Sequence, residues 1–180
     1  FIRELHQQLS SRKKQLTAAT GSYIGGMLPE SSLSYFDYVS IMSYDAIGPT
    51  WGNAGVEHST YEKAKADISL WRKKGLDKNK LILGLQFYGY GFGKYKANYA
   101  FSELVNEFGK QTMSSDLIGN NCESCSYITF NSHQTISNKT KLALEQGAGV
   151  MIWELTKDVK DQNSLLSTVV NTINEFKENQ

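Results

Sequence analysis

Apolar residues recur at helical spacing in several parts of the chain. Ile2, Leu5 and Leu9 share one face of an opening helix that has no capping residue ahead of it, so we expect the chain to begin inside a domain. A second amphipathic helix begins near Ser59 and ends at Gly75, after a cluster of cations suited to a helix C-terminus. Further helices are predicted over residues 101–108, 138–146 and 164–176.

Short apolar and β-branched runs alternate with these helices and predict strands. The runs cover residues 15–20, 36–44, 81–88 and 149–153. Such alternation predicts a parallel α/β fold whose functional side chains lie at the carboxyl ends of the strands. Four strands supply half of an eight-stranded barrel, which needs about 250 residues. Residues 94–126 read as an elaborated connection between the last two strands.

Composition and charge restrict the possible partners. The length and composition of the 180 residues indicate a single structural unit. The 19 basic and 18 acidic residues give no positive field of the kind that nucleic-acid binding requires. No apolar run approaches the roughly 20 residues of a membrane-spanning helix, and the first residues do not form a signal peptide. We therefore expect neither a nucleic-acid nor a membrane partner.

Three strand ends carry recognisable motifs. Residues 42–45 read Met-Ser-Tyr-Asp, residues 87–89 read Phe-Tyr-Gly, and residues 149–154 read Gly-Val-Met-Ile-Trp-Glu. They resemble the ends of the sixth, seventh and eighth barrel strands of glycoside hydrolase family 18, the chitinase-like family, and residues 16–19 resemble its fifth strand. The resemblance implies a partial catalytic domain over residues 1–180, the C-terminal half of a (β/α)8 barrel with strands five to eight.

The sequence departs from the family pattern in one major respect. The family signature Asp-x-x-Asp-x-Asp-x-Glu, whose glutamate is the proton donor, does not occur in these residues, and the resemblance places it just upstream of Phe1. Smaller departures are Gln86, where the family often has proline, and Tyr90, where many members have a basic residue. The resemblance therefore predicts that the 180-residue chain alone is inactive.

The family chemistry that the resemblance implies is retaining hydrolysis of β-1,4-linked N-acetylglucosamine polymers, without a metal or other cofactor. Family 18 is substrate-assisted, so the 2-acetamido oxygen of the sugar attacks the anomeric carbon. The resemblance assigns Tyr44 to the acetamide oxygen and Asp45 to a sugar hydroxyl or amide. Trp153 and Met42 would form the floor of the site. Weaker candidates for flanking sugar contacts are Tyr88, Gln86 and Trp51.

Without the resemblance, several of these residues have simpler interpretations. Tyr44 and Asp45 could be the end of a strand with a turn residue, and Trp153 could be a core aromatic residue. Cys122 and Cys125 are too few for zinc, so a small loop disulfide or two free thiols is expected. His58 falls in an exposed-looking loop and is expected to have no functional role.

The resemblance leaves three functional alternatives. The protein could be the hydrolase, a non-catalytic chitinase-like carbohydrate-binding protein, or an enzyme of the same family that acts on peptidoglycan or N-glycan cores. A secreted, periplasmic or cell-surface location follows from the resemblance alone. A half-barrel also exposes apolar edges, so we expect the remaining half of the barrel or another chain to cover them.

Overall fold

The computed structural model describes residues 1–23 and 27–179. The α-helices are α1 (Ile2–Ser10), α2 (Tyr61–Lys73), α3 (Phe101–Phe108), α4 (Gln111–Ser114), α5 (His133–Gln146) and α6 (Leu165–Glu178). The strands are β1 (Thr17–Thr20), β2 (Tyr38–Ile41), β3 (Leu81–Gln86), β4 (Tyr88–Gly91), β5 (Asn98–Ala100), β6 (Leu117–Gly119), β7 (Tyr127–Thr129) and β8 (Gly149–Trp153). Short 3-10 helices cover Glu30–Tyr35, Lys78–Lys80 and Leu155–Lys157.

Four strands form one parallel sheet in the order β1-β2-β3-β8. The remaining strands form an antiparallel sheet in the order β5-β4-β7-β6, which lies in the connection between β3 and β8. The sequence analysis therefore predicted the order of the parallel strands and the elaborated connection correctly. Since β1 and β8 are the outer strands of the parallel sheet among the described residues, both present unpaired edges there.

The core lies between the parallel sheet and its helices. Leu83 and Leu85 of β3 are fully buried, and they belong to the same apolar cluster as Trp71 of α2 and Ile136 of α5. β8 was predicted as a buried strand, but its first four residues are only partly buried and Trp153 is exposed, because β8 lies at the edge of the sheet among the described residues.

Polar caps set the helix boundaries. The Thr60 side chain accepts a hydrogen bond from the backbone of Lys63 and begins α2. Ser132 caps α5 in the same way, so this helix begins at His133 and not at residue 138 as predicted. The polar first turn of α5 carries no apolar periodicity, which is why the sequence prediction began it too late. No helix in the described part of the chain is long and apolar enough to cross a membrane.

Candidate active site

The carboxyl ends of the parallel strands meet at one edge of the sheet. Tyr44 and Asp45 follow β2, and Trp153 ends β8. The backbone N–H of Phe87, just after β3, donates to the carbonyl oxygen of Trp153 at 2.9 Å. Strand pairing therefore fixes where the candidate residues leave the sheet.

A cavity of about 450 Å³ opens beside the end of β2. This volume falls within the usual range of small-molecule sites, about 300–1,000 Å³. The cavity is lined by Gly21, Ser22, Tyr23, Met42, Tyr44, Asp45, Ala46, Trp51 and Lys63. Residues from distant parts of the sequence thus line one cavity. Four of them are predicted site residues, namely Met42, Tyr44, Asp45 and Trp51.

Asp45 lies at the centre of a polar contact network. The Tyr88 hydroxyl donates to Asp45 Oδ1 at 2.5 Å, and His58 Nδ1 lies 3.6 Å from the same oxygen. Burial raises the pKa of Asp45, but the His58, Tyr88 and Tyr90 side chains outweigh that effect and hold the pKa below its usual value. Asp45 is therefore a carboxylate at neutral pH and can accept hydrogen bonds from a ligand.

Tyr44 supplies a hydrogen-bond donor next to that acceptor. Its ring packs edge-on against Tyr88, with ring centroids 6.2 Å apart. Burial and the charge of Asp45 raise the pKa of Tyr44 to about 12, so its hydroxyl stays protonated over the range in which most proteins work. One wall of the cavity thus carries a neutral phenol beside a carboxylate.

Trp51 occupies the long loop between β2 and α2. Its indole N–H donates to the carbonyl oxygen of Asp45 at 3.4 Å, and its ring lies edge-on to Tyr90 with centroids 5.5 Å apart. The Trp51 side chain is 45% exposed although it lines the cavity. It therefore offers an aromatic face to solvent at the cavity mouth.

Trp153 and Gln86 have different surroundings from the cavity residues. Trp153 is 55% exposed at the strand ends but is not part of the cavity lining. Gln86, its partner across β3 and β8, is fully buried, and its Oε1 accepts a hydrogen bond from Ser59 Oγ at 3.0 Å. Because Gln86 is buried, it supports the site from behind, and this role fits it better than the flanking sugar contact that the sequence analysis assigned to it.

Sequence reasoning missed His58. The expectation of an exposed loop residue is wrong, because the His58 side chain is fully buried. Its ring lies 5.5 Å from the Tyr88 ring and 4.9 Å from the Tyr90 ring. The surrounding loop is polar and rich in glycine, so no local pattern could reveal that two tyrosines from β4 cover it.

Lys139 is a second buried residue that no pattern indicated. Its Nζ donates to the backbone oxygen of Ser59 at 3.0 Å, to Ser59 Oγ at 2.7 Å and to Asn131 Oδ1 at 2.7 Å. Burial lowers the pKa of Lys139 to about 7. A buried lysine that is only partly protonated at neutral pH thus lies behind the loop segment that carries His58.

Cys122 and Cys125 form a disulfide, which is one of the two alternatives left open by the sequence. Their loop packs against the loop that carries Trp51, where the Tyr127 hydroxyl donates to the carbonyl oxygen of Val56 and accepts from the N–H of Gly55. Within residues 1–23 and 27–179, no group of three or more histidine, cysteine or acidic side chains could hold a metal ion.

The chain is similar to chitinases in both sequence and structure. A family model described as "Glycosyl hydrolases family 18" matches residues 1–158. The "Class V chitinase" of Arabidopsis thaliana is 25% identical over 83% of this chain and 49% of its own length. The "Endochitinase" of Manduca sexta is 32% identical, over 39% of this chain and 15% of its own length.

Solved structures extend this similarity. The GH18 chitinase ChiB of Flavobacterium johnsoniae is 34% identical and superposes with a TM-score of 0.85 over 98% of this chain and 55% of its own. A chitinase from Bacteroides thetaiotaomicron is 26% identical, with a TM-score of 0.77 over 95% of this chain and 58% of its own. The chain spans about half the length of the Arabidopsis relative and of these two solved chains. These superpositions confirm the predicted part-barrel fold.

Proposed function

Because the chain belongs to glycosyl hydrolase family 18, we propose that the protein hydrolyses β-1,4-linked N-acetylglucosamine polymers with retention of configuration. The observation that carries the proposal is the position of the Tyr44 hydroxyl beside the Asp45 carboxylate in one cavity at the strand ends. A solved relative of the same fold, a mutant of the class V chitinase of Nicotiana tobaccum, is described as a complex with NAG4. An N-acetylglucosamine oligomer is accordingly the proposed ligand of this chain.

The proposed reaction uses the acetamido group of the substrate as its nucleophile. The acetamide oxygen attacks the anomeric carbon, the bond to the leaving oxygen breaks, and an oxazolinium ion forms that water then opens. Tyr44, a protonated phenol, donates to the acetamide, while Asp45 accepts from the acetamide N–H and so stabilises the developing positive charge. Holding the acetamide at attack distance can contribute about 7–11 kcal/mol in the best intramolecular cases.

The aromatic residues are proposed to bind the sugar rings. Trp153 is exposed at the end of β8 and offers an apolar plane to the C–H face of a pyranose. Met42 fills space in the cavity floor, and Trp51 and Tyr88 supply flanking contacts. Gln86 supports the site from beneath through Ser59.

A general acid must protonate the departing oxygen, and these 180 residues contain no Asp-x-x-Asp-x-Asp-x-Glu sequence. We propose that the acid comes from outside these residues, on the part of the barrel that pairs with the exposed edges of β1 and β8. The 180-residue chain alone is then inactive, since loss of a general acid costs about 10²–10⁴-fold in rate.

The protein is also proposed to work outside the cytoplasm. Disulfides persist in oxidising compartments, and the bond between Cys122 and Cys125 supports such a location. Mass measurement of the native protein, with and without reduction, tests whether the bond exists in the cell. Free thiols in freshly isolated native protein would count against this location.

The test of the function uses the protein at its natural length with chito-oligosaccharides, and proton NMR reads the anomeric configuration of the first product. The proposal predicts cleavage with the β-anomer formed first. Binding without cleavage would identify a carbohydrate-binding protein instead. Cleavage confined to peptidoglycan or N-glycan cores would retain the family chemistry and change the substrate, and initial release of the α-anomer would contradict the mechanism.

A further inference from the structure

His58 is held in place by backbone hydrogen bonds to two other segments and by aromatic contacts to a third. Its backbone carbonyl accepts from the N–H of Ala46, the residue after Asp45, at 3.0 Å. Its own backbone N–H donates to Thr129 Oγ1 at 3.2 Å. The ring is enclosed by Tyr88 and Tyr90 and directs Nδ1 toward the Asp45 carboxylate.

The His58 ring is an unusual group to bury. In the described structure neither ring nitrogen has a hydrogen-bond partner, and the contact to Asp45 at 3.6 Å lies just beyond hydrogen-bond length. A buried polar group without a partner is destabilising, and an apolar side chain would fill this space without that penalty. The site therefore keeps a costly imidazole beside one particular carboxylate.

Asp45 itself needs support to hold its position. It has a positive φ of 58°, in the left-handed region that non-glycine residues rarely adopt. Such a backbone persists where surrounding contacts fix it, and the Ala46 to His58 hydrogen bond and the Tyr88 to Asp45 hydrogen bond both do so. His58 thus acts on the backbone and on the side chain of the same segment.

Lys139 fixes the residue next to His58. The three acceptor contacts of Nζ match the three donors of an ammonium group, and two of them are to Ser59, the residue directly after His58. At pH values below its pKa of about 7, Lys139 therefore holds a positive charge behind the loop segment that carries His58.

We propose that His58 is a positioning residue that orients the Asp45 carboxylate toward the substrate, and that Lys139, held behind the same loop, opposes protonation of the His58 imidazole. The proposal rests on the proposed function, because the substrate that Asp45 meets is the N-acetylglucosamine unit. The family motifs in the sequence analysis assign neither His58 nor Lys139 a role.

The electrostatic surroundings agree with this assignment. Burial lowers the pKa of His58, Asp45 raises it, and Lys139 lowers it further, with a net pKa below the usual value. The titratable and charged groups around this pair are Asp45 after β2, Glu57 and His58 on the loop, Lys63 and Asp67 on α2, Tyr88 and Tyr90 on β4, Asp116 before β6 and Lys139 on α5. Protonation of His58 in acid would place an imidazolium beside the Asp45 carboxylate, where it would compete with the substrate for that carboxylate.

The deciding experiment follows the imidazole directly in the natural-length protein labelled with nitrogen-15 in histidine. NMR titration gives the pKa of His58, and His58→Gln assigns its signals. Lys139→Met should raise that pKa by about one unit and Asp45→Asn should lower it by a similar amount. Lys141→Met, an exposed lysine on the same helix, is the matched control and should leave it unchanged. If Lys139→Met leaves the pKa of His58 where it is in the parent protein, the proposed coupling is wrong.

A second readout separates positioning from simple packing. The acid limb of the pH profile for oligosaccharide binding should move to higher pH in Lys139→Met, in step with the pKa of His58. His58→Gln should weaken binding at neutral pH and abolish that limb. An unmoved limb despite a shifted pKa would overturn the positioning role.

The NMR titration and the binding profile together also distinguish a variant that fails to fold from a proposed function that is wrong. If Lys139→Met does not fold, Asp45→Asn still tests the contact between Asp45 and His58, because the Asp45 side chain is 39% exposed and lies outside the packed core. An unchanged pKa of His58 in Asp45→Asn would then overturn the positioning role. If the protein binds no N-acetylglucosamine oligomer, the proposed function and the positioning role both fail. The NMR titration still decides whether Asp45 and Lys139 control the protonation of His58.

Discussion

Tyr88 donates a hydrogen bond of 2.5 Å to the carboxylate of Asp45. The two residues come from different strand ends, Tyr88 from the start of β4 and Asp45 from the loop after β2. Burial, followed by the contact with Asp45, raises the pKa of Tyr88 well above its usual value, so the phenol remains a donor. This bond joins the antiparallel connection to the carboxyl edge of the parallel sheet.

Tyr88→Phe tests that bond through the pH dependence of stability. The pKa of Asp45 is lowered in the folded protein, so its ionised form contributes stability above its unfolded pKa, and that stability is lost as pH falls through the folded pKa. We expect the variant to lose about 1 kcal/mol of unfolding free energy at pH 7, after screening of this part-exposed carboxylate, and less at pH 3. Urea unfolding at both pH values, with Tyr61→Phe on α2 as control, measures the difference. An equal loss at both pH values would show that Asp45 is not involved.

Tyr44→Phe removes the hydroxyl group that is the proposed donor to the acetamide and keeps the aromatic ring. By analogy with the loss of one donor from an oxyanion hole, kcat should fall about 10²–10³-fold while KM changes little. Because the pKa of Tyr44 is about 12, the wild-type rate should show no alkaline limb from this phenol below pH 10. Steady-state kinetics on chito-oligosaccharides measure both, and a kcat within about threefold of wild type would remove Tyr44 from the mechanism.

The sequence alone was enough to predict the fold and to place Tyr44 and Asp45 at the end of a parallel strand. Helix α3 and strand β8 have the predicted bounds, because both are short apolar segments with clear ends. The cavity likewise contains Tyr44 and Asp45, which follow a recognisable strand.

The surroundings of those residues could not be predicted. The burial of His58 depends on Tyr88 and Tyr90, and that of Lys139 depends on Ser59 and Asn131. These partners meet through long loops and strand pairing, so neither periodicity nor residue type near His58 or Lys139 carries the information. Exposure was also hard to judge, since a lysine in a helix is normally expected at the surface.

Trp153→Ala should separate ligand binding from stability. Trp153 is more than half exposed, so its removal should change the unfolding free energy by less than about 0.5 kcal/mol. KM for chito-oligosaccharides should rise about fivefold, since an aromatic platform contributes on the order of 1 kcal/mol. Trp71→Ala, at a fully buried tryptophan of α2, is the contrasting variant and should cost about 3–5 kcal/mol of stability. Unchanged KM in Trp153→Ala would place the sugar elsewhere.

Lys139→Met should change how stability depends on pH. The pKa of Lys139 is lowered to about 7 in the folded protein, so between pH 7 and the pKa of an unfolded lysine the unfolded chain binds more protons. Stability from this group therefore rises with pH over that window, by up to about 1.4 kcal/mol per pH unit. Chemical unfolding at pH 7 and pH 9 should show the rise in wild type and in Lys141→Met, but not in Lys139→Met. The same rise in all three proteins would mean that Lys139 is not the group responsible.

The most direct test of the account is a crystal structure of the natural-length protein with chitotetraose, in a variant whose general acid has been replaced. The account predicts one sugar with its acetamide oxygen within hydrogen-bond distance of the Tyr44 hydroxyl, its acetamide nitrogen or a hydroxyl on Asp45, and its C–H face on Trp153. An oligosaccharide bound with its acetamide groups away from Tyr44 and Asp45 would contradict it.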